Sequence, residues 1–437
     1  MITGIGIVTS IGWGVNDFWE KCLEGKSVIC EIPEMWREYG ITNSQFWSPL
    51  PKICWENYQI NKIDEMQLDT SQKLSLVACH QALEDAGFSV SFSNERKRVF
   101  QIKNMPDSVG VFLGTGIGGI KSIIQNTAYL LYQPLKKAVN ENIQKYLETA
   151  PARFNPFAIS MGMANACAAR IGLRYSLKGP NRVYSMACAS GTVAIGHAYQ
   201  AIKSGEVDIA VAGGVEYMGD TYGGVFRGFD VAHTLVHGDI VPDKINRPFD
   251  CYRSGFLFSE GGCAILILEE ERIALRRMGD NARIYAEILS YAETFDAYSI
   301  LMIEPNGQEI CRMIRNMLSY AGLQPKDIDY INAHGTGTQL NDEVESRVID
   351  HLFKKKPLVN STKSLIGHSI GASGAIEAVV SALSVFHKKT HICRNLEYPL
   401  RDLNFVQEVK FYPIKVALSH SFAFGGHNAG LIFSEFQ

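Results

Sequence analysis

Cys188 lies in NRVYSMACASGTVAIGHAYQAIKSG, where a β-prone run (Arg182–Met186) meets apolar or small residues at Val193, Ala194, Ala198 and Ile202. That spacing predicts a helix, and Gly205 is placed to stop it. A cysteine at such a strand-to-helix turn meets unpaired N–H groups and the positive end of the helix dipole. Both favour the thiolate, which is the nucleophilic form. Ala187, Ala189, Ser190 and Gly191 keep the turn uncrowded, so an acyl group can approach. The competing reading is a buried structural thiol, the ordinary state expected of most of the other nine cysteines.

Two histidines could work with it. His334, in INAHGTGTQLND, follows a short apolar run and precedes a Gly-Thr-Gly-Thr loop. This puts the ring at a strand's carboxyl end, where α/β folds hold ligands. Thr336 and Thr338 are two apart, so on an extended loop both hydroxyls face one way, toward a polar ligand chain. His368, in STKSLIGHSIGASGAIEAV, stands five residues after Lys363, with Gly367, Gly371 and Gly374 thinning the side chains around it. An ammonium beside an imidazole disfavours imidazolium and keeps the ring neutral. Glu377, on the helix that follows, is a candidate partner for Lys363. In SHSFAFGGHNAG, Phe422 and Phe424 precede two glycines, which suits an aromatic gate to an apolar tunnel and equally a packed strand end. Spacing alone leaves the other bland readings open too: a loop histidine, turn threonines and a surface lysine.

Two further patterns carry less. Gly114–Gly119 contains a formal G-x-G-x-x-G after a strand, but the stretch Tyr132–Leu147 reads as helical and polar, without the acidic strand end of a dinucleotide site. His233 and His237 are spaced i, i+4, as zinc ligands are, yet Thr234 stands where the general-base glutamate of a zinc protease would be.

The elements that must position these residues repeat. CHQALEDAGF followed by SVGVFLGTGIGG is echoed by IRNMLSYAGL followed by IDYINAHGTGT. Each copy is an amphipathic helix stopped at Ala-Gly, a short apolar strand and a Gly-Thr-Gly turn. The helices opened by ACASG and IGASG also correspond, as do the closing segments EGGCAILILEE and FGGHNAGLIFSEF. Such self-similarity predicts duplication of one α/β unit, with the halves meeting near residue 275. The strands Val109–Leu113, Asp208–Ala212 and Tyr330–Ala333 read as buried on both faces. Ser91–Met105 reads as a polar surface excursion and Glu34–Asn61 as irregular.

With 437 residues, more than one core is expected, since a single core stops growing at about 250–300 residues. A net charge of −3 argues against a nucleic-acid binder, and 46% hydrophobic with 20% charged residues indicates a folded globular chain. No apolar run approaching a membrane span is apparent, and MITGIGIVTS lacks the basic start of a secretory leader. The ten scattered cysteines, without a C-x-x-C pair, point to free thiols in a reducing cytoplasm.

Cys188, His334, Lys363 with His368, and Phe424 occur in that order within ACASG, AHGTGT, TKSLIGH and FAFGGHN, with RPFD between the first two. The sequence so resembles the β-ketoacyl-(acyl-carrier-protein) synthases, condensing enzymes of the thiolase fold, from GIGIVTSIG (4–12) to the C-terminal strand. The resemblance implies an α/β, thiolase-like five-layered αβαβα fold of two pseudo-duplicated halves. Residues 1–274 would hold the nucleophile and a dimer interface, and residues 275–437 the catalytic histidines. Two histidines place the chain with the elongating synthases. Cys188 is then the acyl-accepting nucleophile, while His334 and His368 promote decarboxylation of a malonyl unit and stabilise the enolate. Lys363 holds the His368 region in place and lines the site, with Glu377 behind it. Thr336 and Thr338 bind the phosphopantetheine arm, Phe424 is the gate beside Phe422, and the N–H groups of Cys188 and Phe424 form the oxyanion hole. No cofactor and no metal is implied, because phosphopantetheine arrives on the carrier. The implied partners are an acyl carrier protein and either a second copy of the chain or a chain-length-factor-like subunit.

The sequence departs from the family pattern at several positions. Ser254 stands for the usual Asp, Ser259 and Cys263 for glycines, His420 for a common Asn, and Ala423 for Gly. The catalytic set is untouched. Fatty-acid elongation, the catalytic subunit of a heterodimer in a polyketide or other specialised pathway, and a non-condensing acyltransferase using the same cysteine all remain open. A non-catalytic partner subunit would lack the cysteine.

Overall fold

The computed structural model describes residues 1–38, 40, 43–94, 99–103, 105, 108–132, 151–238, 241–279 and 283–436. One large sheet contains β1 (Ile2–Val8), β2 (Gly110–Gly114), β3 (Asn181–Tyr184), β4 (Ile209–Tyr217) and β5 (Gly261–Glu269), in spatial order β1-β5-β4-β2-β3. The other contains β6 (Glu287–Phe295), β7 (Tyr330–Asn332), β8 (Leu358–Asn360), β9 (Asn404–Phe405), β10 (Val416–Ala423) and β11 (His427–Ser434), in order β6-β11-β10-β7-β8-β9. Without the short edge strand β9, the second order repeats the first strand for strand. The directions repeat as well: two antiparallel pairings, then two parallel ones. The echo seen in the sequence is therefore a duplicated topology.

Helix α1 (Thr70–Asp85) covers β1 and β5, and α3 (Gln308–Ala321) covers the equivalent β6 and β11. Between the sheets, α2 (Ser190–Lys203) and α5 (Ser373–His387) pack against each other and touch both sheets. The result is five layers, αβαβα. The central strands face helices on both sides, so β2, β4 and β5 are buried along their whole length. Val111 and Leu113 join the core beneath α1, and Phe112 between them joins the core between the sheets. Helix α2 ends as its sequence predicts: Gly205 has φ 75° and its N–H donates to the Ile202 carbonyl at 3.0 Å.

Several expectations need correction. β4 does not end at Ala212 but runs through Gly213 and Gly214 to Tyr217. A Cβ at Gly213 would lie 2.0 Å from the Ala264 carbonyl oxygen, so this glycine marks a close strand approach and not a turn. The polar stretch after Phe88 contains a hairpin, Val90–Asn94 with Val99–Ile102, in which Phe92 stacks on Phe100 at 4.2 Å. Residues 95–98 and 104 of that stretch, and 133–147 of the reading made for Tyr132–Leu147, lie outside the described residues. Among the described residues one 18-residue segment, Ile370–His387, is long and apolar enough to cross a bilayer, but it is 89% buried. It is apolar because it lies between two sheets. The described residues of Glu34–Asn61 are irregular as expected, with only short pieces such as Glu34–Glu38 and Phe46–Ser48 among them. All ten cysteines are free thiols, most of them buried.

Candidate active site

Cys188 sits in a 3₁₀ turn, Ala187–Ala189, between β3 and α2. Ala187 has φ 43°, a left-handed conformation that a residue with a Cβ adopts at a cost. The second half repeats the turn: Ile370–Ala372 precedes α5, and Ile370 has φ 44°. The two turns touch. Gly371 stands where the first copy has Cys188. A Cβ there would lie 2.4 Å from the Gly116 nitrogen and 2.6 Å from Glu216 Oε2, so only one of the two turns has room for a side chain.

The serine after each turn has been put to different use. Ser190 Oγ accepts the Met186 N–H at 2.9 Å and donates to the Ala187 carbonyl at 2.7 Å, which ties the nucleophile's turn. Ser373 Oγ accepts the Ser369 N–H at 3.1 Å and meets His368 Nδ1 at 2.9 Å, which orients the ring. His368 Nε2 then lies 3.0 Å from Cys188 Sγ. The His334 ring meets the His368 ring edge-on, with centroids 5.5 Å apart. Two residues brought from the second half thus flank the thiol of the first.

Lys363 is fully buried behind His334. Its ammonium donates to the His334 carbonyl, pairs with the Glu377 carboxylate, and lies 3.2 Å from His334 Nδ1. An ammonium has three protons and no lone pair, so these three partners use it completely. His334 Nδ1 is therefore an acceptor, and the ring's proton is on Nε2. Ser373 can either donate or accept, so His368 is free to change tautomer where His334 is not. Burial, and after it the Lys363 charge, hold both imidazoles well below the ordinary histidine range. Burial also raises Glu377 to about 7 despite its lysine partner.

The state of the thiol differs from the expectation. Burial pushes Cys188 up to about 12, while the Lys363 charge and the backbone N–H groups of Phe424 and of Cys188 itself pull it down by less. The resting group is a thiol, because removing a sulfur anion from water outweighs the help of the helix end. Those two N–H groups converge near the sulfur.

Cys188, His334, His368, Thr336, Thr338, Phe422 and Phe424 line one cavity of about 170 Å³. Thr336 and Thr338 do face the same way, with Oγ1 atoms 2.9 Å apart. Phe422, on β10, packs against His334 at 5.6 Å and is both wall and core. Phe424 follows β10 in the turn to β11 and stacks on Phe229 at 6.4 Å. Contrary to the expectation that it lines the site and holds the His368 region, Lys363 lies with Glu377 behind this wall, because its buried ammonium is tied to His334 and to the Glu377 carboxylate. By ligand type Cys188, His334 and His368 could take a metal, their ligand atoms lying within 4.8 Å of one another. With its proton on Nε2, however, His334 presents a donor to the cavity and not a lone pair.

The remaining patterns have structural explanations. The N–H groups of Gly116, Ile117 and Gly371 converge on the buried Glu216 carboxylate at 2.6, 3.2 and 3.1 Å. The glycine-rich turn thus cradles an internal anion and joins the two halves behind Cys188. His233 and His237 are not on a helix, and His237 Nδ1 meets the Leu235 carbonyl at 3.2 Å.

Sequence reasoning missed several supports. Arg253 holds the Thr338 loop, with Nε donating to the Thr338 carbonyl at 3.1 Å, and lies 3.7 Å from Asp342. Asp342, raised to about 6 by burial, accepts the Gly337 N–H at 3.1 Å. Glu345 accepts the N–H groups of His334 and Gly335 at 2.7 and 2.8 Å. Asp342 and Glu345 had a readable signal, being acidic residues in the opening turns of α4 (Gln339–Leu352), directly after the threonine loop. Glu216 had none.

Comparison with known proteins accords with this geometry. The family model "Beta-ketoacyl synthase, N-terminal domain" matches residues 1–273, and "Beta-ketoacyl synthase, C-terminal domain" matches 285–397. A 3-oxoacyl-[acyl-carrier-protein] synthase 2 from Synechocystis is 33% identical over 443 residues, covering 100% of this chain and 98% of the relative. The solved ishigamide ketosynthase/chain length factor superposes with TM-score 0.83 at 27% identity, over 100% of this chain and 98% of that one. A type II PKS acyl-carrier protein in complex with its ketosynthase gives TM-score 0.79 at 25% identity, again over 100% and 98%. The doubled thiolase-type fold, the paired turns with one nucleophile between them and the full-length matches agree, and the chain belongs to the β-ketoacyl synthase family.

Proposed function

We propose that this enzyme, an acyltransferase, condenses an acyl thioester on Cys188 with malonyl-acyl carrier protein, losing CO₂ and lengthening a fatty-acid or polyketide chain by two carbons. The observation that carries this reading is the Lys363–His334 contact, which aims an N–H donor into the cavity that also holds the thiol.

In the first half-reaction His368 Nε2, 3.0 Å from the sulfur, takes the thiol proton as Cys188 attacks the incoming thioester. The proton leaves with the departing phosphopantetheine thiolate. In the second half-reaction the malonyl carboxylate departs as CO₂, and its bonding electrons pass to the thioester oxygen as an enolate. His334 Nε2–H, assisted by His368, stabilises that oxygen. The enolate carbon attacks the acyl group on Cys188, and the N–H groups of Cys188 and Phe424 receive the tetrahedral oxyanion. Collapse expels the Cys188 thiolate, which takes up one proton and returns to the resting thiol. Thr336 and Thr338 hold the carrier's phosphopantetheine arm, Phe424 gates the entry beside Phe422, and no separate cofactor is needed.

The division into halves 1–274 and 275–437 is supported by the two sheets, which are built from residues 2–269 and 287–434. The acyl carrier protein as partner, with a second copy or a chain-length-factor-like subunit beside the chain, is supported by what the solved relatives are named for. Since Cys188 is present, this chain is the catalytic member of such a pair, working in the cytoplasm. Incubation with acyl- and malonyl-carrier protein tests the function. CO₂ release with a product two carbons longer is the expected result, and acyl transfer without either would overturn it.

A further inference from the structure

Glu345 lies wholly buried behind His334 and has four hydrogen-bond donors. Oε1 accepts the His334 N–H and meets His420 Nε2, both at 2.7 Å. Oε2 accepts the Gly335 N–H at 2.8 Å and Asn341 Nδ2 at 3.1 Å. A carboxylate offers about four lone-pair positions, so the set is complete. His334 is thereby fastened at its N–H by Glu345 and at its carbonyl by Lys363.

His420 is also wholly buried. It stands on β10 two residues before Phe422, its ring 4.8 Å from the Phe422 ring, which packs in turn on His334. Its Nδ1 has no hydrogen-bond partner among the described residues, so Glu345 is its polar anchor. His420 therefore braces His334 by two routes, one polar and one apolar. Cys188 and His368 are oriented by other groups, Ser190 and Ser373.

We propose that His420 is a positioning residue for the decarboxylating half-reaction: through Glu345 and Phe422 it keeps the His334 N–H aligned on the enolate oxygen, and it leaves acylation of Cys188 alone. This rests on the condensation reading above. An enolate needs its donor in register, and misplacement by about 1 Å costs roughly 100-fold. Thiol acylation does not use His334 in this way.

The test compares His420→Phe, His420→Gln and wild type by three readings: Cys188 acylation followed by intact mass, CO₂ release from malonyl-carrier protein, and ¹⁵N shifts of the His334 ring. His420→Phe keeps the ring and loses the donor. The expected result is acylation within about twofold of wild type, CO₂ release down roughly 10- to 100-fold, and His334 ring ¹⁵N shifts moved from their wild-type positions while Lys363 keeps the ring proton on Nε2. Gln places its amide nitrogen as many bonds from Cα as Nε2, so it should recover most of the decarboxylation. Unchanged CO₂ release and ring shifts in His420→Phe would overturn the proposal. So would equal loss of both half-reactions in both variants, which marks a purely structural residue. If the wild type itself released no CO₂, the condensation reading would fail, and the ring shifts would still decide whether His420 positions His334.

Discussion

Lys363 holds His334 at two atoms: Nζ lies 2.7 Å from the carbonyl oxygen and 3.2 Å from Nδ1. One ammonium thus sets both where the imidazole stands and which nitrogen carries its proton. Glu377 completes the set and balances the buried charge.

Removing this ammonium should separate the half-reactions. Lys363→Ala frees the His334 tautomer and should lower CO₂ release by about 10²- to 10³-fold, the scale of losing one oriented donor. It also strands the buried Glu377, at a cost of about 3–5 kcal/mol in stability. In Lys363→Met/Glu377→Met the uncompensated charge is gone, so chemical denaturation should show stability recovered while CO₂ release stays low. Recovery of both would mean that the pair serves folding alone.

The nucleophile and the donor should part in the same way. Cys188→Ala should give no acyl adduct by intact mass. His334→Ala should still be acylated, while its condensation rate falls about 10²- to 10⁴-fold.

The resting thiol gives a pH prediction. Alkylation proceeds through the thiolate, and Cys188 titrates near 12. Between pH 7 and 10 the thiolate fraction is small and rises about tenfold per pH unit. The rate of iodoacetamide labelling at Cys188, followed by peptide mass spectrometry, should climb log-linearly across that range. A plateau near pH 7 would show that the helix end governs the thiol and burial does not.

Adding one methyl group tests how closely the second strained turn is packed, with the helix-ending Gly205 as the control. In Gly371→Ala the Cβ meets backbone at 2.4 Å and Glu216 Oε2 at 2.6 Å, so overpacking should cost about 1–3 kcal/mol in thermal unfolding. At Gly205 the Cβ meets nothing, and Gly205→Ala should cost only the left-handed conformation, about 1–2 kcal/mol. Activity should fall in Gly371→Ala alone, because that glycine backs the turn carrying Cys188.

Much of the active site was legible in the sequence because it is written in short local patterns. Cys188 at a strand-to-helix turn, His334 before its threonine loop, and Lys363 and His368 among glycines all stand where spacing put them, around or behind one cavity. The duplication was legible for the same reason, since each half repeats its helix, strand and turn within a few tens of residues. Other features depended on groups that meet only after folding. Glu216 reaches Gly371 across 155 residues, and His420 reaches Glu345 across 75. Neither contact leaves a local period to read. The protonation states were beyond local reasoning too. A helix N-terminus by itself argues for a thiolate at Cys188, but the tertiary structure buries the sulfur and makes it a thiol. The sequence determined which groups are present and on which turns they sit. Only the tertiary structure, by excluding water and closing the two halves together, decided where their protons lie.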